Sequence, residues 1–299
     1  MEIILGTPRG FCAGVVRAID IVEIALKKFG PPIYVKHQIV HNPYVVRSLE
    51  QKGAVTVEDV HDVPPGSVVV FSAHGSPPED FELARSLSIK VIDATCPLVT
   101  RVHNEARKYY REGKRIILIG HRGHQEVRGT MGQVPMELVD DRETAGLPGW
   151  ADDSDVAVIT QTTLSVSDTA QSVKHIKGKF RNTLLRNDIC YATTNRQDAT
   201  KKLARNVDLV LVIGSQNSSN CNRLREVAQN EGVPAYLING VHDLDLNWLA
   251  GASKLGITSG ASTPEVLLDE VIMHVKPDSV TTIEGVHEEV TFVLPKDLR

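Results

Sequence analysis

The stretch IILGTPRGFCAGV (residues 3–15) holds a strand-like apolar run, a turn rich in Gly, Thr and Pro, and a cysteine at the mouth of a helix-like run. The same design returns in KVIDATCPLV (90–99) and RNDICYATTN (186–195), so Cys12, Cys96 and Cys190 mark one point in three similar lengths of chain, 84 and 94 residues apart. From Cys12 the pattern runs AGVVRAIDIVEIALKKFG as a helix closed by Gly30, IYVKHQIV as a strand, NPYVVRSLEQKG as a helix, then AVTV, SVVVFSAHG, PPEDFELARSL and KVIDAT. The order recurs from Cys96 and again from Cys190. The third pass lacks a final strand, which the unused N-terminal segment EIILGT can supply.

These alternations predict an α/β chain of three small, parallel-rich lobes. The expected bounds are 12–95 for the first lobe, 96–189 for the second, 190–276 plus 1–11 for the third, and 277–299 as a surface tail. The expected arrangement is a trefoil with a pseudo-threefold axis and the three cysteines at its centre.

Composition narrows the function. The chain has 299 residues, 41% hydrophobic and 23% charged, as in ordinary globular proteins. A net charge of −4 offers no global basic field, which argues against nucleic acid as a partner. No apolar run approaches the roughly 20 residues that span a bilayer. The N-terminus has no signal-type core, so the expected compartment is the cytoplasm, and no membrane partner is expected. There the four cysteines read as ligands, catalytic groups or buried apolar residues rather than disulfides.

Three cysteines at strand-to-helix turns, where amide N–H groups stabilise a thiolate, suit a metal centre with one position left open. The close C-x-x-C pairs of a structural zinc site are absent, which favours a convergent iron–sulfur cluster over zinc. Cys221 falls outside the repeat and is expected not to be a ligand.

Aligning the passes places polar residues at equivalent strand ends. One set is His41, His124 and the run Ser218, Ser219 and Asn220; the other is His74, the pair Thr162 and Thr163, and Ser262. Any one such histidine is more often exposed or structural, but equivalent positions in three repeats point to a shared site. With helix N-termini these side chains suit a phosphate or diphosphate, while Ser218 and its neighbours also suit helix capping. Glu126 stands two residues from His124, at a strand-to-helix turn. A carboxylate beside an anion is repelled unless protonated, so proton donation is the expected role.

Taken together, GFCAGVVRAI, HNPYVV, SAHGSPPE, DATCPLVT, GHRGHQEVRG, QTTLSV, NDICYATTNRQ, GSQNSSNCNRL and TSGASTPE resemble the LytB/IspH family, in its order, from residue 5 to about residue 270. The resemblance implies reductive dehydroxylation of (E)-4-hydroxy-3-methylbut-2-enyl diphosphate to isopentenyl and dimethylallyl diphosphate, the last step of the non-mevalonate isoprenoid route. It further implies one 4Fe-4S cluster on Cys12, Cys96 and Cys190 with one iron free of protein ligand. His41, His74, His124, Ser218, Ser219, Asn220 and Ser262 would hold the diphosphate. Glu126 would relay protons beside one of Thr162 and Thr163. A ferredoxin or flavodoxin would donate electrons to a monomeric enzyme. The competing readings are a non-redox cluster hydratase and a cluster-bearing redox sensor. The basic stretch RVHNEARKYYREGKR (101–115) reads as a solvated helix face.

Overall fold

Short apolar runs bounded by Gly, Pro, Ser or Asn form strands, and the longer amphipathic runs between them form helices. The structure, a computed structural model, describes residues 1–140, 142–143 and 146–299. The chain opens with β1 (Glu2–Leu5) and passes through the Cys12 turn into α1 (Ala13–Phe29). Next come β2 (Ile33–Lys36), α2 (Pro43–Glu50), β3 (Ala54–Val57), β4 (Val68–Phe71), α3 (Pro78–Ser86) and β5 (Lys90–Asp93). Beyond Cys96 follow α4 (Pro97–Arg111), β6 (Arg115–Ile119), α5 (Gln125–Met131), β7 (Glu137–Val139), β8 (Asp155–Thr160), α6 (Val166–Lys179) and β9 (Asn182–Leu185). Beyond Cys190 follow α7 (Tyr191–Ala204), β10 (Leu209–Ile213), α8 (Ser219–Asn230), β11 (Ala235–Ile238), β12 (Lys254–Ser259), α9 (Glu265–Val275) and β13 (Ser279–Thr282).

Three sheets result, with strand orders β3-β2-β4-β5, β7-β6-β8-β9 and β11-β10-β12-β1-β13. Their strand pairs are parallel. Parallel neighbours require crossover connections, and helices supply most of them. Their packing buries both faces of the sheet, so the strands read as unbroken apolar runs. In LVLVI of β10 all five residues are buried. Leu209, Leu211 and Ile213 enter one core cluster of the third sheet, and Val210 and Val212 enter another. The second sheet is packed in the same way, with Ile116 and Leu118 in one cluster and Ile117 and Ile119 in the other.

The repeat is thus one of topology: counting strands from each repeat cysteine, the second takes the edge of its sheet and the third lies on the other side of the first. β1 fills in the third sheet the place that β5 and β9 fill in theirs, with Ile3 opposite Leu255 and Ile4 opposite Gly256. Residues 277–299 are more than a tail, because β13 pairs in parallel with the far side of β1. All four residues of β13 are exposed, as suits a polar edge strand.

The chain divides into two compact units. One comprises Met1–Val16, Val40–Ser48 and Tyr191–Thr291, and holds the third sheet; the other comprises Arg17–Ile39, Leu49–Cys190 and Phe292–Arg299, and holds the first two sheets.

Candidate active site

The three cysteine turns are built alike. The Cys12 N–H donates to Ala261 O (3.1 Å), the Cys96 N–H to Ala73 O (3.0 Å) and the Cys190 N–H to Thr162 O (2.9 Å). Each acceptor lies in the loop that follows the third strand of its sheet, so every cysteine is pinned beside the loop carrying Ser262, His74 or Thr162. All three cysteines are half-buried. The helices they precede, α1, α4 and α7, have no acidic residue in the first turn. Their N-terminal amides therefore face the cysteine without competition from a carboxylate. Pro97 at the start of α4 costs nothing there, since its missing N–H would have had no partner in the helix. Cys12 belongs to one compact unit and Cys96 and Cys190 to the other. Among the described residues no three His, Cys, Asp or Glu side chains are grouped as a metal site. Each of the three thiols, presented at a helix N-terminus, has by itself the chemistry of a thiolate ligand.

In the larger unit His124 caps α5: its Nδ1 accepts the Glu126 N–H at 3.2 Å, which leaves the ring proton on Nε2. The His74 and His124 rings stand edge to face, 6.0 Å between centroids, and Ser72 Oγ lies 3.3 Å from His74 Nδ1. The two loops meet through glycine. A Cβ on Gly129 of α5 would lie 2.7 Å from Gly75 O, and one on Gly75 would lie 2.8 Å from the ring of His103. Gly75 also has φ +85°, a conformation strained for other residues.

Glu126 sits at the strand-to-helix turn, in the first turn of α5, and is 4% exposed. One carboxylate oxygen accepts the Thr162 N–H at 2.6 Å, and the other accepts the Thr162 hydroxyl at 3.0 Å. Burial pushes its pKa up to about 7, helped by the nearby charge of Asp188 and opposed by the two Thr162 bonds. The shift thus has its main cause in the protein itself, before any repulsion from a bound anion. Thr162 is the threonine that touches Glu126, whereas Thr163 Oγ1 accepts from Gln161 Nε2 (2.9 Å).

In the smaller unit Ser218 caps α8, its hydroxyl accepting the Cys221 N–H at 3.3 Å, and Ser219 and Asn220 form the first turn. Asn220 is 4% exposed, yet both polar atoms of its amide are buried without a hydrogen-bond partner. A buried amide left so is costly, and a polar ligand would satisfy it. Ser262 Oγ donates to His41 O (3.2 Å), tying the loop before α9 to the loop before α2. The Cys221 thiol is fully buried and its pKa is pushed up to about 11 by that burial. It packs against Gly214 and Gly260, where any side chain would collide with the sulfur. This makes Cys221 a poor target for oxidants.

Three residues that brace these loops were not singled out in the sequence. Asn42, which accepts the Tyr44 and Val45 N–H groups, starts α2 directly after His41, and the Asn-Pro pair was a legible signal. Gln161 accepts the His121 N–H at 3.0 Å and braces the threonine loop. Arg196 is wholly buried in α7, and no sequence signal marked it.

The model of the family described as LytB protein matches residues 3–276. The chain belongs to the LytB family. Among LytB relatives it is similar to the 4-hydroxy-3-methylbut-2-enyl diphosphate reductase of Azoarcus sp. (strain BH72), 50% identical over 305 residues, covering 100% of this chain and 98% of that one. It is 51% identical over 304 residues to 4-hydroxy-3-methylbut-2-enyl diphosphate reductase 1 of Rhodopseudomonas palustris, covering 98% of each. Among solved structures it resembles the E-1-hydroxy-2-methyl-but-2-enyl-4-diphosphate reductase of Plasmodium falciparum, with TM-score 0.94, 41% identity, and coverage of 99% of this chain and 96% of that chain. A second structure, of (E)-4-hydroxy-3-methyl-but-2-enyl diphosphate reductase, the terminal enzyme of the non-mevalonate pathway, matches with TM-score 0.64 and 32% identity over 92% of this chain and 99% of that one. No helix among the described residues is long and apolar enough to cross a membrane.

Proposed function

We propose that this LytB protein reduces (E)-4-hydroxy-3-methylbut-2-enyl diphosphate to isopentenyl and dimethylallyl diphosphate, completing the non-mevalonate route in the cytoplasm. The observation that carries the reading is the likeness, at about half of all positions and over essentially the full length, to enzymes named for that reaction. In balance, substrate, two electrons and two protons give the product and one water.

Cys12, Cys96 and Cys190 would hold a 4Fe-4S cluster, and their half-buried thiols at unopposed helix N-termini support this. When bound, the cluster supplies a Lewis-acidic iron for the substrate hydroxyl and a path for the two electrons. The diphosphate is held by His41, His74, His124, Ser218, Ser219, Asn220 and Ser262, the last five of which start or precede helices whose N–H groups favour an anion. Asn220 contributes the amide that lacks a protein partner, so binding satisfies it at no cost to an existing bond.

Glu126 supplies the proton. With its pKa near 7 it is about half protonated at neutral pH, the range in which a general acid is most effective. Thr162 clasps both carboxylate oxygens and fixes the direction from which the proton leaves. Both electrons come from outside the chain, from a carrier of the ferredoxin or flavodoxin type, to an enzyme acting as a monomer.

The test is anaerobic turnover of iron-loaded protein with dithionite and methyl viologen, with products identified by mass spectrometry. Both C5 diphosphates should form, and only when reductant is present. Substrate consumed without reductant, to a product at its own oxidation level, would favour the hydratase, and a loaded cluster that bleaches without consuming substrate would favour the sensor.

A further inference from the structure

Residues 277–299 lie beyond the stretch matched by the family model, yet they reach the turn that carries Cys12. After β13 the Ile283 N–H donates to Leu5 O (2.9 Å), continuing alongside β1. Gly285 then passes so close to the Thr7 carbonyl that a side chain there would overlap it. Three residues on, the Glu288 carboxylate, 13% exposed, meets the Arg196 guanidinium, whose side chain is 1% exposed.

The pairing is dense. Arg196 Nη1 donates to Glu288 Oε1 (3.0 Å) and Oε2 (3.3 Å) and to Ala192 O (3.1 Å). Its Nη2 donates to Glu288 Oε2 (3.3 Å) and to Gly10 O (2.9 Å), while Asn195 Nδ2 donates to Glu288 Oε1 (3.0 Å). Gly10 stands two residues before Cys12 with φ +69°, and its N–H donates to the buried Ser259 Oγ (2.9 Å). On the other side of Cys12 the Ala13 N–H donates to Tyr191 Oη (3.3 Å). Helix α7 therefore grips the Cys12 turn before and after the cysteine, through Arg196 and Tyr191.

We propose that Glu288 is a positioning residue for Cys12: by neutralising the buried Arg196 it fixes the Gly10 carbonyl, and so the backbone from which Cys12 presents its sulfur to the cluster. This rests on the assignment of Cys12 as a ligand made above. Arginine buried without a counter-charge is strongly unfavourable, so loss of Glu288 forces the guanidinium toward water or another acceptor. The Gly10 carbonyl then loses its donor, and a glycine at positive φ is free to rotate away. Groups that orient metal ligands without touching the metal commonly alter metal affinity by about 10–100-fold.

The experiment compares full-length Glu288→Ala and Glu288→Gln with Glu289→Ala, whose carboxylate is 83% exposed and serves as control. Three readouts are taken: the rate of iron loss to a ferrous chelator, the electron paramagnetic resonance spectrum of the reduced cluster, and alkylation of each cysteine by iodoacetamide in the cluster-free chain. We expect Glu288→Ala to lose iron roughly tenfold or more faster and to change the spectrum. Cys12 alone should label faster in it. Glu288→Gln, which keeps the acceptor oxygen, should recover part of each effect, and judges the idea if the alanine variant does not fold. The proposal is overturned if Glu288→Ala behaves as Glu289→Ala does. It is also overturned if all three repeat cysteines label faster together, which would mean general loosening. Wild-type chain that takes up no cluster would refute the functional reading instead, and selective labelling of Cys12 would still decide the role of Glu288.

Discussion

Replacing Glu126 by Gln tests two things at once, because the same buried proton governs stability and turnover. In the unfolded chain the carboxyl has its ordinary pKa of 4.5, whereas in the folded protein burial raises it to about 7. Below pH 4.5 both states carry the proton and the group contributes nothing to pH dependence. Between 4.5 and 7 the unfolded chain has released its proton while the folded chain retains it, so rising pH erodes stability. Above about 7 the loss is complete, at about 3 kcal/mol from the size of the shift. The Gln variant lacks this titration. Its amide oxygen can keep one Thr162 bond, and whatever the other bond costs is independent of pH. The unfolding free energy of Glu126→Gln relative to wild type should therefore rise by about 3 kcal/mol between pH 4.5 and 7.5. Urea titrations of the cluster-free chain at several pH values measure it. In turnover the variant should fall by roughly 10²–10⁴-fold at matched iron content, and lose the tenfold decline per pH unit expected of wild type above pH 7. Parallel stability curves would refute the burial argument. Near-normal turnover with only a higher KM would move the acid role to another group, the substrate's diphosphate foremost.

The buried Asn220 amide has no protein partner, so Asn220→Ala should raise the substrate KM by about tenfold or more without lowering the melting temperature. Gly129→Ala drives a methyl against the Gly75 carbonyl, and should cost about 1–3 kcal/mol by thermal unfolding while weakening substrate binding through the displaced His74 loop. Cys221→Ser should keep the full iron content, and native Cys221 should resist iodoacetamide, in contrast to Cys190→Ser, which should lose iron.

Much of this was legible because the repeat is written in residue types. Runs such as VDLVLVIG can only be strands covered on both faces, and a polar residue just past each run marks the strand's open end. Three cysteines at matching turns needed no coordinates to be singled out. Depth was harder to read. Glu126 and Arg196 are charged residues in polar stretches, which a sequence places at the surface, and only packing shows that one is 4% exposed and the other 0%. The role proposed for Glu126 rests on its neighbours in the sequence, but its shifted pKa follows from the protein around it. β13 was missed because SVTT on an exposed edge has no apolar run to announce it. Its pairing with β1 joins segments more than 270 residues apart, which no local pattern encodes.

That separation shapes how the chain comes into being on the ribosome. β1 emerges long before both of its neighbours, β12 and β13. At about 5–20 residues per second, the 248 residues between Leu5 and Lys254 keep it waiting on the order of 12–50 s. During that time EIIL exposes unpaired N–H and C=O groups and apolar side chains, the features that make an unpaired strand prone to wrong partners. The strands of the other two sheets come from residues 33–185, so those sheets can form while β1 is still unmatched. Because the turn that carries Cys12 hangs from β1, that cysteine is the first of the three to be synthesised and the last to be set in its final place. Insertion of iron and sulfur should therefore follow the synthesis of β12 and β13, and nascent chains stalled before residue 254 should carry none.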